Sequence, residues 1–353
     1  MLDYVIVGSG LAGIAFAEVV LQRHKSILVF DDHSLKSSKV AGGVYNPVIL
    51  KRFSGLSGAQ QQLDEMVLFY DAVEGRLGKQ FLHAMPLLRK FASVEEQNNW
   101  FTASDKPALA PFLSTELIER TFPHLASPFG FGEVLQTGYV DTNGFVSSYQ
   151  QYLKSNGMLA DVTFKYESLK TENHISYQGI EAKHIVFADG FGIRQNPFFN
   201  DLPLAGTKGE LLLIKAPDLA EDALIKSDVF LLPLGDGVFK VGATYEWTDK
   251  TETPTVAARE ELVGKLEKLI SCPYEIVSQE AGIRPTVQDR KALIGTHQDY
   301  GNVHLLNGLG TRGVMLAPLM AKLLFDHIES GAPIPDDVNL NRFRRHPHSG
   351  HTR

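Results

Sequence analysis

The chain has 353 residues, of which 44% are hydrophobic and 21% are charged, which is typical of a globular protein with about two domains. Its net charge of −7 argues against a general nucleic-acid-binding protein, because such a protein presents a basic face. The single cysteine, Cys272, excludes an internal disulfide and a cysteine-cluster metal site, and we expect no metal. We expect Cys272 to be a buried small side chain.

The first residues predict a strand rather than a secretory signal, since Asp3 stands where a signal would need positive charge. The apolar run at residues 5–20 is interrupted by three glycines and Glu18, so it is too short and too broken to span a bilayer. We therefore expect a cytoplasmic protein.

The N-terminal pattern predicts a strand at residues 4–7, a turn at 8–10, a helix at 11–23 and a second strand at 26–30. A strand, a helix and a strand within about 30 residues form a compact parallel unit with a right-handed crossover. A loop rich in Ser, Gly and Asn follows at 33–47, then a helix at 60–77, and an irregular stretch at 80–137.

The pattern becomes regular again after Gly138. It predicts helices at residues 143–155, 259–270 and 315–328, and strands at 162–166, 174–177, 184–188, 211–214, 229–232, 238–242, 276–282 and 303–306. The four strands between residues 211 and 282 are predicted to share one mixed sheet. The basic, His-rich residues 342–353 predict a solvated terminus, and a phosphate-binding tail is the alternative.

The first turn has the spacing G-x-G-x-x-G, in the order Gly8-Ser9-Gly10-Leu11-Ala12-Gly13. These glycines permit a tight turn, close approach of a pyrophosphate to the main chain, and close packing of helix on strand. The pyrophosphate would bind at the helix N-terminus, where free N–H groups favour anions. Asp31 follows the last glycine by 18 residues and is the preferred acceptor for ribose hydroxyls, with Asp32 as the alternative. The fingerprint predicts a dinucleotide and leaves NAD and FAD open.

Further segments spread along the chain carry a family resemblance. They are residues 37–44, Gly138-Tyr139-Val140-Asp141, residues 185–190, Val241-Gly242-Ala243-Thr244, Gly282-Ile283-Arg284-Pro285 with Asp289 and Gly295, residues 308–313, and Ala317-Pro318. Together with the fingerprint, they resemble the D-amino-acid-oxidase-like flavoprotein family, which includes glycine oxidase and sarcosine oxidase. The Gly-x-Arg-Pro and final glycine-rich segments are the most specific.

The resemblance implies that FAD is the cofactor and that it is bound without a covalent link, because Cys272 lies outside the C-terminal flavin segments. It assigns flavin contacts to Ala41, Gly42, Gly43, Val44, Val162, Ala188, Gly190, Gly308, Leu309, Gly310, Thr311, Arg312 and Gly313. Main-chain N–H groups of the last six would lie near the flavin ring and stabilise its reduced, anionic form.

The resemblance also implies an α/β fold with an α+β second domain. A Rossmann-type FAD-binding domain with a parallel sheet is expected at residues 1–78, 138–202 and 282–335. A substrate-binding domain on a mixed or antiparallel sheet is expected at residues 79–137 and 203–281, and a C-terminal tail at 336–353.

For catalysis, the resemblance implies that Arg284 binds the substrate carboxylate through two parallel hydrogen bonds. The alternative is a structural arginine that pairs with Asp289 or Glu280. In glycine-oxidase-like enzymes a tyrosine precedes the strand that here begins Leu231-Leu232, and this chain has Phe230 instead. The missing hydroxyl leaves the substrate class open.

Other side chains are candidates for the same site. Tyr245 is a candidate to replace the missing hydroxyl, or it is a half-buried tyrosine of the sheet. Lys51 and Arg52 face the substrate or are solvated, and Tyr45 and Asn46 are weaker candidates of the same kind.

The function implied is oxidation of the C–N bond of a small amine or amino acid, with the amine bound neutral and hydride transfer to flavin N5. One alternative is the related oxidase that trims carboxymethylaminomethyl-uridine in tRNA. Two others are a flavin-binding protein without turnover and an NAD-dependent dehydrogenase. The sequence does not decide whether the electron acceptor is oxygen or another molecule. It also does not decide whether the protein forms a homo-oligomer.

Overall fold

The computed structural model describes residues 1–219 and 222–343. Within these ranges it has seven α-helices: α1 (Leu11–Gln22), α2 (Ser37–Val40), α3 (Ala59–Leu77), α4 (Val94–Ser104), α5 (Thr142–Ser155), α6 (Val256–Leu266) and α7 (Gly313–Ser330). The described strands are β1 (Leu2–Val7), β2 (Ile27–Phe30), β3 (Val44–Tyr45), β4 (Val48–Ile49), β5 (Ser54–Gly55), β6 (Leu82–Ala84), β7 (Leu87–Lys90), β8 (Leu113–Ile118), β9 (Phe131–Val134), β10 (Gly138–Val140), β11 (Leu159–Ala160), β12 (Leu169–Lys170), β13 (Ile175–Tyr177), β14 (Ile180–Phe187), β15 (Thr207–Lys215), β16 (Leu224–Lys226), β17 (Phe230–Gly235), β18 (Val238–Gly242), β19 (Glu275–Arg284), β20 (Leu293–Thr296) and β21 (Val303–Asn307).

The first sheet has a parallel centre in the order β11-β2-β1-β14-β21, with β20 antiparallel to β21 and β13 antiparallel to β14. Its central strands are almost entirely apolar because both faces are buried, one in a core with residues of α1 and α7 and the other in a core that contains Phe164, Tyr177 and Phe199. Val7 is level with Phe30 and Phe187, and Phe187 is level with Leu305. The loops after these strands therefore meet at one edge of the sheet, which is the prediction for a dinucleotide-binding fold.

The second sheet has the order β19-β15-β18-β17-β16-β7-β9-β8. Every pair is antiparallel except β16 with β7, so the sheet is mixed. The four strands predicted between residues 211 and 282 are all in it, as expected. One face packs against α6 around a core that contains Leu212, Val241 and Cys272, and the other face lies toward α2 and the first sheet.

A layer of helices α1, α3, α5 and α7 covers the first sheet. A buried carboxylate joins three of these helices, since Glu18 of α1 pairs with Arg76 of α3 at 3.0 Å and accepts a 2.7 Å hydrogen bond from Tyr149 of α5. Glu18 is fully buried, so these hydrogen bonds replace the ones it would make with water.

The predicted strand at residues 162–166 is wrong. Strand β11 ends at Ala160 and the chain turns at once, with Val162 N–H donating to the Ala160 carbonyl at 2.9 Å. Phe164 and Tyr166 are buried or half-buried because they pack on an aromatic cluster, in which Phe164 stacks on Tyr177 at 4.3 Å. The alternation in the sequence reflects this packing and not a strand.

The predicted helix at residues 259–270 lies three to four residues earlier in the structure. Helix α6 begins at Val256 and ends at Leu266, and the Thr255 hydroxyl caps its first turn. The chain then turns so that Ile270 pairs with Leu125.

The predicted domain limits stay a prediction. The two large sheets lie within the predicted segments, apart from the end of β19, which runs to Arg284. Of the predicted tail, residues 344–353 lie outside the described residues. Arg342, which the sequence placed in a solvated terminus, instead forms an ion pair with Asp289 at 2.8 Å. No helix of the described chain is long and apolar enough to cross a membrane.

We expect Glu18→Ala to lower the free energy of unfolding by about 3–5 kcal/mol, because it leaves the Arg76 guanidinium and the Tyr149 hydroxyl without their acceptor. Urea unfolding of the purified protein measures this, with Asp71→Ala on the exposed face of α3 as the control. Equal midpoints for the two variants would contradict the structural role of Glu18.

Candidate cofactor and active site

The turn between β1 and α1 brings two stretches of main chain into direct contact. Gly8 has φ +102°, and a Cβ there would lie 2.4 Å from the Ala188 carbonyl oxygen. A Cβ at Gly13 would lie 1.8 Å from the Gly8 carbonyl oxygen, so α1 packs on β1 without an intervening side chain. Among the described residues, the N–H groups of Ala12 and Gly13 have no hydrogen-bond acceptor. They form a binding site for an anion at the positive end of the helix.

The two candidate ribose acids face different ways. Asp31 turns toward the glycine-rich turn and accepts hydrogen bonds from Ser9 N–H at 2.5 Å and from Ser9 Oγ at 2.7 Å. Asp32 accepts hydrogen bonds from Ser34 N–H at 3.0 Å and from Thr163 Oγ1 at 2.9 Å. Hydrogen bonding from the Ser34 side chain, and then from Ser34 N–H and Thr163, lowers the pKa of Asp32. Asp31 therefore lies beside the glycine-rich turn and Asp32 points away from it, and the ribose role of Asp31 stays a prediction.

A cleft of about 430 Å³ begins at Ser9, Gly10 and Asp31 and follows α2 and the start of α5 to the face of the second sheet. At that end it is lined by Lys240 and Glu280. The cleft thus joins the anion-binding turn of the first sheet to the second sheet, with α2 between them.

The loop after α2 contains the predicted flavin contacts Ala41 to Val44. A Cβ at Gly42 would lie 2.6 Å from Phe230 Cζ, so the loop lies against the ring of Phe230 on β17. Gly43 has φ +74°, and a Cβ there would lie 2.0 Å from the Val140 carbonyl oxygen. Val44 pairs with Tyr139. Only glycine fits at positions 42 and 43, because protein atoms already fill the space that a side chain needs.

The glycine-rich loop at residues 308–313 contacts both the start of α1 and the Gly-x-Arg-Pro segment. A Cβ at Gly313 would lie 3.0 Å from Leu11 Cδ1, so the loop adjoins the start of α1. Gly310 N–H donates to the Pro285 carbonyl at 3.1 Å, so the loop also adjoins the Gly-x-Arg-Pro segment. Arg312 is partly buried, and this burial lowers its pKa. Leu309 is buried and Thr311 exposed.

A half-buried acid joins two of the predicted cofactor segments. Asp189, between Ala188 and Gly190, accepts hydrogen bonds from Asn196 Nδ2 and Asn307 Nδ2 at 3.0 Å each, and from the Tyr166 hydroxyl at 3.2 Å. Asn307 also donates to the Gly190 carbonyl and accepts from Gly308 N–H. Burial raises the pKa of Asp189 to about 6. Asp189 is not among the residues predicted for the site, although an acid at the end of the apolar strand, within Ala-x-Gly, is a signal that could have pointed to it.

Arg284 ends β19 on the face of the second sheet that lies toward α2. Its guanidinium lies across β15 at Gly209, where a Cβ would be 1.9 Å from Arg284 Nη2. Its Nη1 donates to the Thr244 carbonyl at 3.2 Å. Burial lowers its pKa, and no acidic side chain of the described residues forms an ion pair with it. The alternative role of Arg284, as a structural arginine that pairs with Asp289 or Glu280, is not observed. Asp289 pairs with Arg342, and Glu280 lies in the cleft without contacting Arg284.

Tyr245 is the one other catalytic candidate that the structure brings to Arg284. Its ring centroid lies 4.7 Å from Arg284 Cζ, and the residue is 59% exposed rather than half-buried in the sheet. Lys51 and Arg52 are exposed in the turn between β4 and β5, and their side chains make no hydrogen bond or ion pair with described residues. The structure does not bring Lys51 or Arg52 into contact with Arg284.

The structure does not bring the remaining candidates, Val162, Tyr45 and Asn46, into contact with Arg284. Val162 is exposed beside Thr163 and Asp32, at the end where the ribose is expected. Tyr45 is buried, and Asn46 accepts a hydrogen bond from Val48 N–H.

Lys240 is a site residue that the sequence analysis missed. It interrupts the apolar strand β18, lines the cleft, and donates to the Ala41 carbonyl at 3.4 Å. Burial lowers its pKa, an effect that Glu280 and Asp141 oppose. Lysine in a strand of otherwise apolar residues is the signal that could have found it. It places a cation next to the predicted flavin loop.

Comparison with known proteins agrees with this geometry. A model of the DAO family, described as FAD dependent oxidoreductase, matches residues 3–327. The chain belongs to this family of FAD-dependent oxidoreductases. It is 22% identical to the glycine oxidase of Bacillus subtilis, over 92% of both chains. The crystal structure of glycine oxidase from Geobacillus kaustophilus has 19% identity and a TM-score of 0.79 and covers 99% of both chains.

A second kind of relative is longer. The tRNA 5-methylaminomethyl-2-thiouridine biosynthesis bifunctional protein MnmC of Marinobacter nauticus is 22% identical over 92% of this chain, which spans 55% of that protein.

The residues present fit FAD. The unpartnered N–H groups at the start of α1 suit its pyrophosphate, and Asp31 suits a ribose. A Cβ at Gly190 or Gly310 would meet no atom within 4 Å, so main chain from both loops borders open space where a ring can approach. Cys272 is packed in the core on the far side of the second sheet. This position agrees with FAD held without a covalent link, which stays a prediction.

We expect Gly10→Val to yield protein without bound flavin, because a Cβ at this position already lies 2.8 Å from Ser38 Oγ and larger atoms would fill the start of the cleft. Absorbance of the purified protein between 350 and 500 nm, about the range of flavin bands, measures this. The control is Gly264→Ala in α6, where a Cβ meets no atom within 4 Å. A fully yellow Gly10→Val protein would refute the predicted pyrophosphate site.

Asp189 should make stability depend on pH. Because its folded pKa is raised to about 6, its contribution is present below its ordinary pKa near 4 and is lost as the pH rises through about 6. Between pH 4 and 8 we expect the wild type to lose about 3 kcal/mol of unfolding free energy relative to Asp189→Asn. Urea unfolding at several pH values measures this difference. Parallel pH curves for the two proteins would show that Asp189 is not buried as described.

Proposed function

We propose that this chain oxidises the C–N bond of a small amine or amino acid that carries a carboxylate, with Arg284 as the residue that binds the carboxylate. The observation that carries this proposal is the lack of an acidic partner for a half-buried guanidinium whose pKa is lowered by desolvation. An uncompensated buried cation is costly, so a site that retains one is suited to an anionic ligand.

The surroundings of Arg284 support the same proposal. Gly209 leaves room for the guanidinium to lie flat on β15, and the Thr244 carbonyl holds one of its nitrogens. The ring of Tyr245 covers it from one side. The remaining N–H groups are then oriented as a fork, which matches the two oxygens of a carboxylate.

The position of Phe230 limits what else can bind the substrate. Its ring lies against Gly42 and Gly242 and has no hydroxyl to donate. We propose that Tyr245 supplies the polar contact instead, and that Phe230 presents an apolar surface between Arg284 and the flavin loop. Lys51 and Arg52 have no support from the structure for a substrate role.

When bound, FAD supplies the acceptor for the hydride that leaves the carbon next to the amine. Arg284 fixes the other end of the substrate, and this orientation lowers the entropy cost of the reaction. Among the proposed cofactor residues, Asp31 holds a ribose, and Ala12 and Gly13 hold the pyrophosphate through their N–H groups. Lys240 places positive charge at the carbonyl of Ala41, beside the flavin loop.

The tRNA-trimming activity is the second candidate, because this chain is similar to part of MnmC. The net charge of −7 disfavours it, since tRNA binding requires a basic face. The substrate that bleaches the flavin distinguishes the two candidate activities. Anaerobic bleaching of the flavin by free amino acids or N-methyl amines supports the first, and bleaching only by modified tRNA supports the second. The cytoplasmic location stays a prediction.

The proposed activity is tested by mixing the yellow protein, without air, with a panel of amino acids and N-methyl amines. We expect at least one carboxylate-bearing amine to bleach the flavin bands. Readmission of air then distinguishes an oxidase, which regains its colour quickly, from a dehydrogenase. A protein that no member of the panel bleaches would be a flavin binder without this activity.

We expect Arg284→Leu to retain flavin and to lose at least about 100-fold in the rate of bleaching by a carboxylate substrate, equivalent to about 3 kcal/mol for a lost charged pair. Stopped-flow absorbance measures the rate. Arg259→Leu on the exposed face of α6 is the control and should reduce at the wild-type rate. Unchanged reduction by the Arg284 variant would refute the carboxylate role.

A further inference from the structure

A network of buried charges lies directly behind Arg284, on the opposite side of β15. Side chains of a strand alternate between its two faces. Gly209 faces Arg284, so its neighbours Lys208 and Glu210 point to the other side. Both are buried, at 0% and 2% exposed. A fully buried lysine in a strand is expensive, and its retention calls for a role.

Lys208 holds the loop that follows β18, defined here as the anchored loop, residues 244–255. Its ammonium donates to Asp249 Oδ2 at 2.6 Å, to the Thr253 carbonyl at 2.5 Å and to Thr251 Oγ1 at 3.4 Å. These three acceptors match the three donors of an ammonium group. One buried cation therefore gathers three points of the anchored loop onto the back of β15.

Glu210 and the main chain hold the two ends of the same loop. Glu210 accepts hydrogen bonds from Thr255 N–H and Thr255 Oγ1 at 2.9 Å each. At the other end, Lys208 and Glu246 exchange two main-chain hydrogen bonds of 2.9 Å, and Glu210 N–H donates to Thr244 Oγ1 at 2.9 Å. Both ends of the loop are thus tied to the two residues that flank Gly209.

The front of the same loop forms part of the substrate site. The Thr244 carbonyl accepts the hydrogen bond from Arg284 Nη1, and Tyr245 places its ring over the guanidinium. Glu252 further accepts hydrogen bonds from Lys36 N–H, just before α2, at 3.1 and 3.2 Å. The anchored loop therefore touches the guanidinium at one end and the cofactor-side helix at the other.

We propose that Lys208 is a positioning residue for substrate binding, which acts through the anchored loop to orient Arg284 and Tyr245. It does not touch substrate. Its ion pair with Asp249 fixes the loop from behind, so that the Thr244 carbonyl and the Tyr245 ring hold the guanidinium flat on Gly209. This inference rests on the proposed carboxylate role of Arg284.

The ion pair is intact at the pH of an assay. The hydrogen bond from Lys208 holds the pKa of Asp249 down at about 2, so that carboxylate stays charged at neutral pH. A variant that lacks one of the two charges should free the loop while leaving the strands of the first sheet unaltered, because none of them contacts Lys208 or Asp249. Because Glu252 of the same loop holds Lys36, the flavin content of each variant is measured as well.

The experiment uses the FAD-loaded protein and three variants. Lys208→Met removes the ammonium, and Asp249→Asn weakens the same contact at a residue whose side chain is one-third exposed, so the second variant folds even where the first does not. Lys183→Met is the matched control, because it removes a surface lysine that pairs with Asp3 at 2.8 Å on the first sheet.

The first readout is the dissociation constant of acetate, followed by the shift that it causes in the flavin spectrum. We expect Lys208→Met to weaken acetate binding about 10-fold, which corresponds to about 1.4 kcal/mol, and Asp249→Asn to weaken it less. KM for the carboxylate substrate should rise by a similar factor, while kcat changes less than about threefold. A merely structural lysine would instead lower stability and leave the ratio of KM to kcat unchanged.

The second readout reports the loop without any substrate. The chain has two tryptophans, of which Trp100 is buried and Trp247 lies on the anchored loop, 49% exposed. We expect Lys208→Met to increase quenching of the Trp247 fluorescence by acrylamide. Wild-type acetate binding and wild-type quenching in both variants would overturn the proposal.

The two readouts separate this inference from the proposed function. If the wild type and Arg284→Leu respond to acetate alike, the carboxylate role of Arg284 fails. The quenching result then decides alone whether Lys208 anchors the loop.

Discussion

The direct contact of main chain with main chain between α1 and β1 is the constraint on which the site depends. Gly13 brings the helix onto the Gly8 carbonyl, and Gly8 brings the turn onto the Ala188 carbonyl. No side chain fits in either place. As a result the first N–H groups of α1 lie at the carboxyl edge of the parallel sheet, next to the loops that follow β2, β14 and β21. An anionic cofactor is favoured there because the helix end carries positive partial charge.

Several charged groups in the interior of the described chain have charged or multiple polar partners. Glu18 has Arg76 and Tyr149, Asp189 has three neutral donors, and Lys208 has acceptors from the anchored loop. Each of these joins parts of the chain that are distant in sequence. Arg284 and Lys240 differ from these, because the one acceptor that each has among the described residues is a main-chain carbonyl, of Thr244 and of Ala41. Since a charge removed from water is costly unless it is compensated, both cations face the side of the second sheet where an anionic substrate and the cofactor are proposed to bind.

The two large sheets contribute different parts of the proposed chemistry. The first sheet offers loop ends and a helix terminus, which suit a long, phosphate-containing cofactor. The second sheet offers one face, which carries Phe230, Lys240 and Arg284, and the first two of these contact the loop after α2. Helix α2 packs between them, with Ser37 Cα 3.0 Å from where a Cβ of Gly282 would be. A reaction between cofactor and substrate is thereby confined to the junction of the sheets.

The sequence by itself determined the N-terminal βαβ unit and the mixed sheet, because glycine spacing and runs of buried apolar residues are local properties. The FAD family followed from the resemblance of several segments to that family and not from the spacing. It did not determine residues 162–166, whose alternation comes from aromatic packing with Tyr177, or the choice between Asp31 and Asp32. Only the tertiary structure showed that Arg284 has no acidic partner, that Tyr245 lies over it while Lys51 and Arg52 do not, and that Lys208 stands behind it. Those facts depend on contacts between residues far apart in the chain, and no spacing along one strand or helix encodes such a contact.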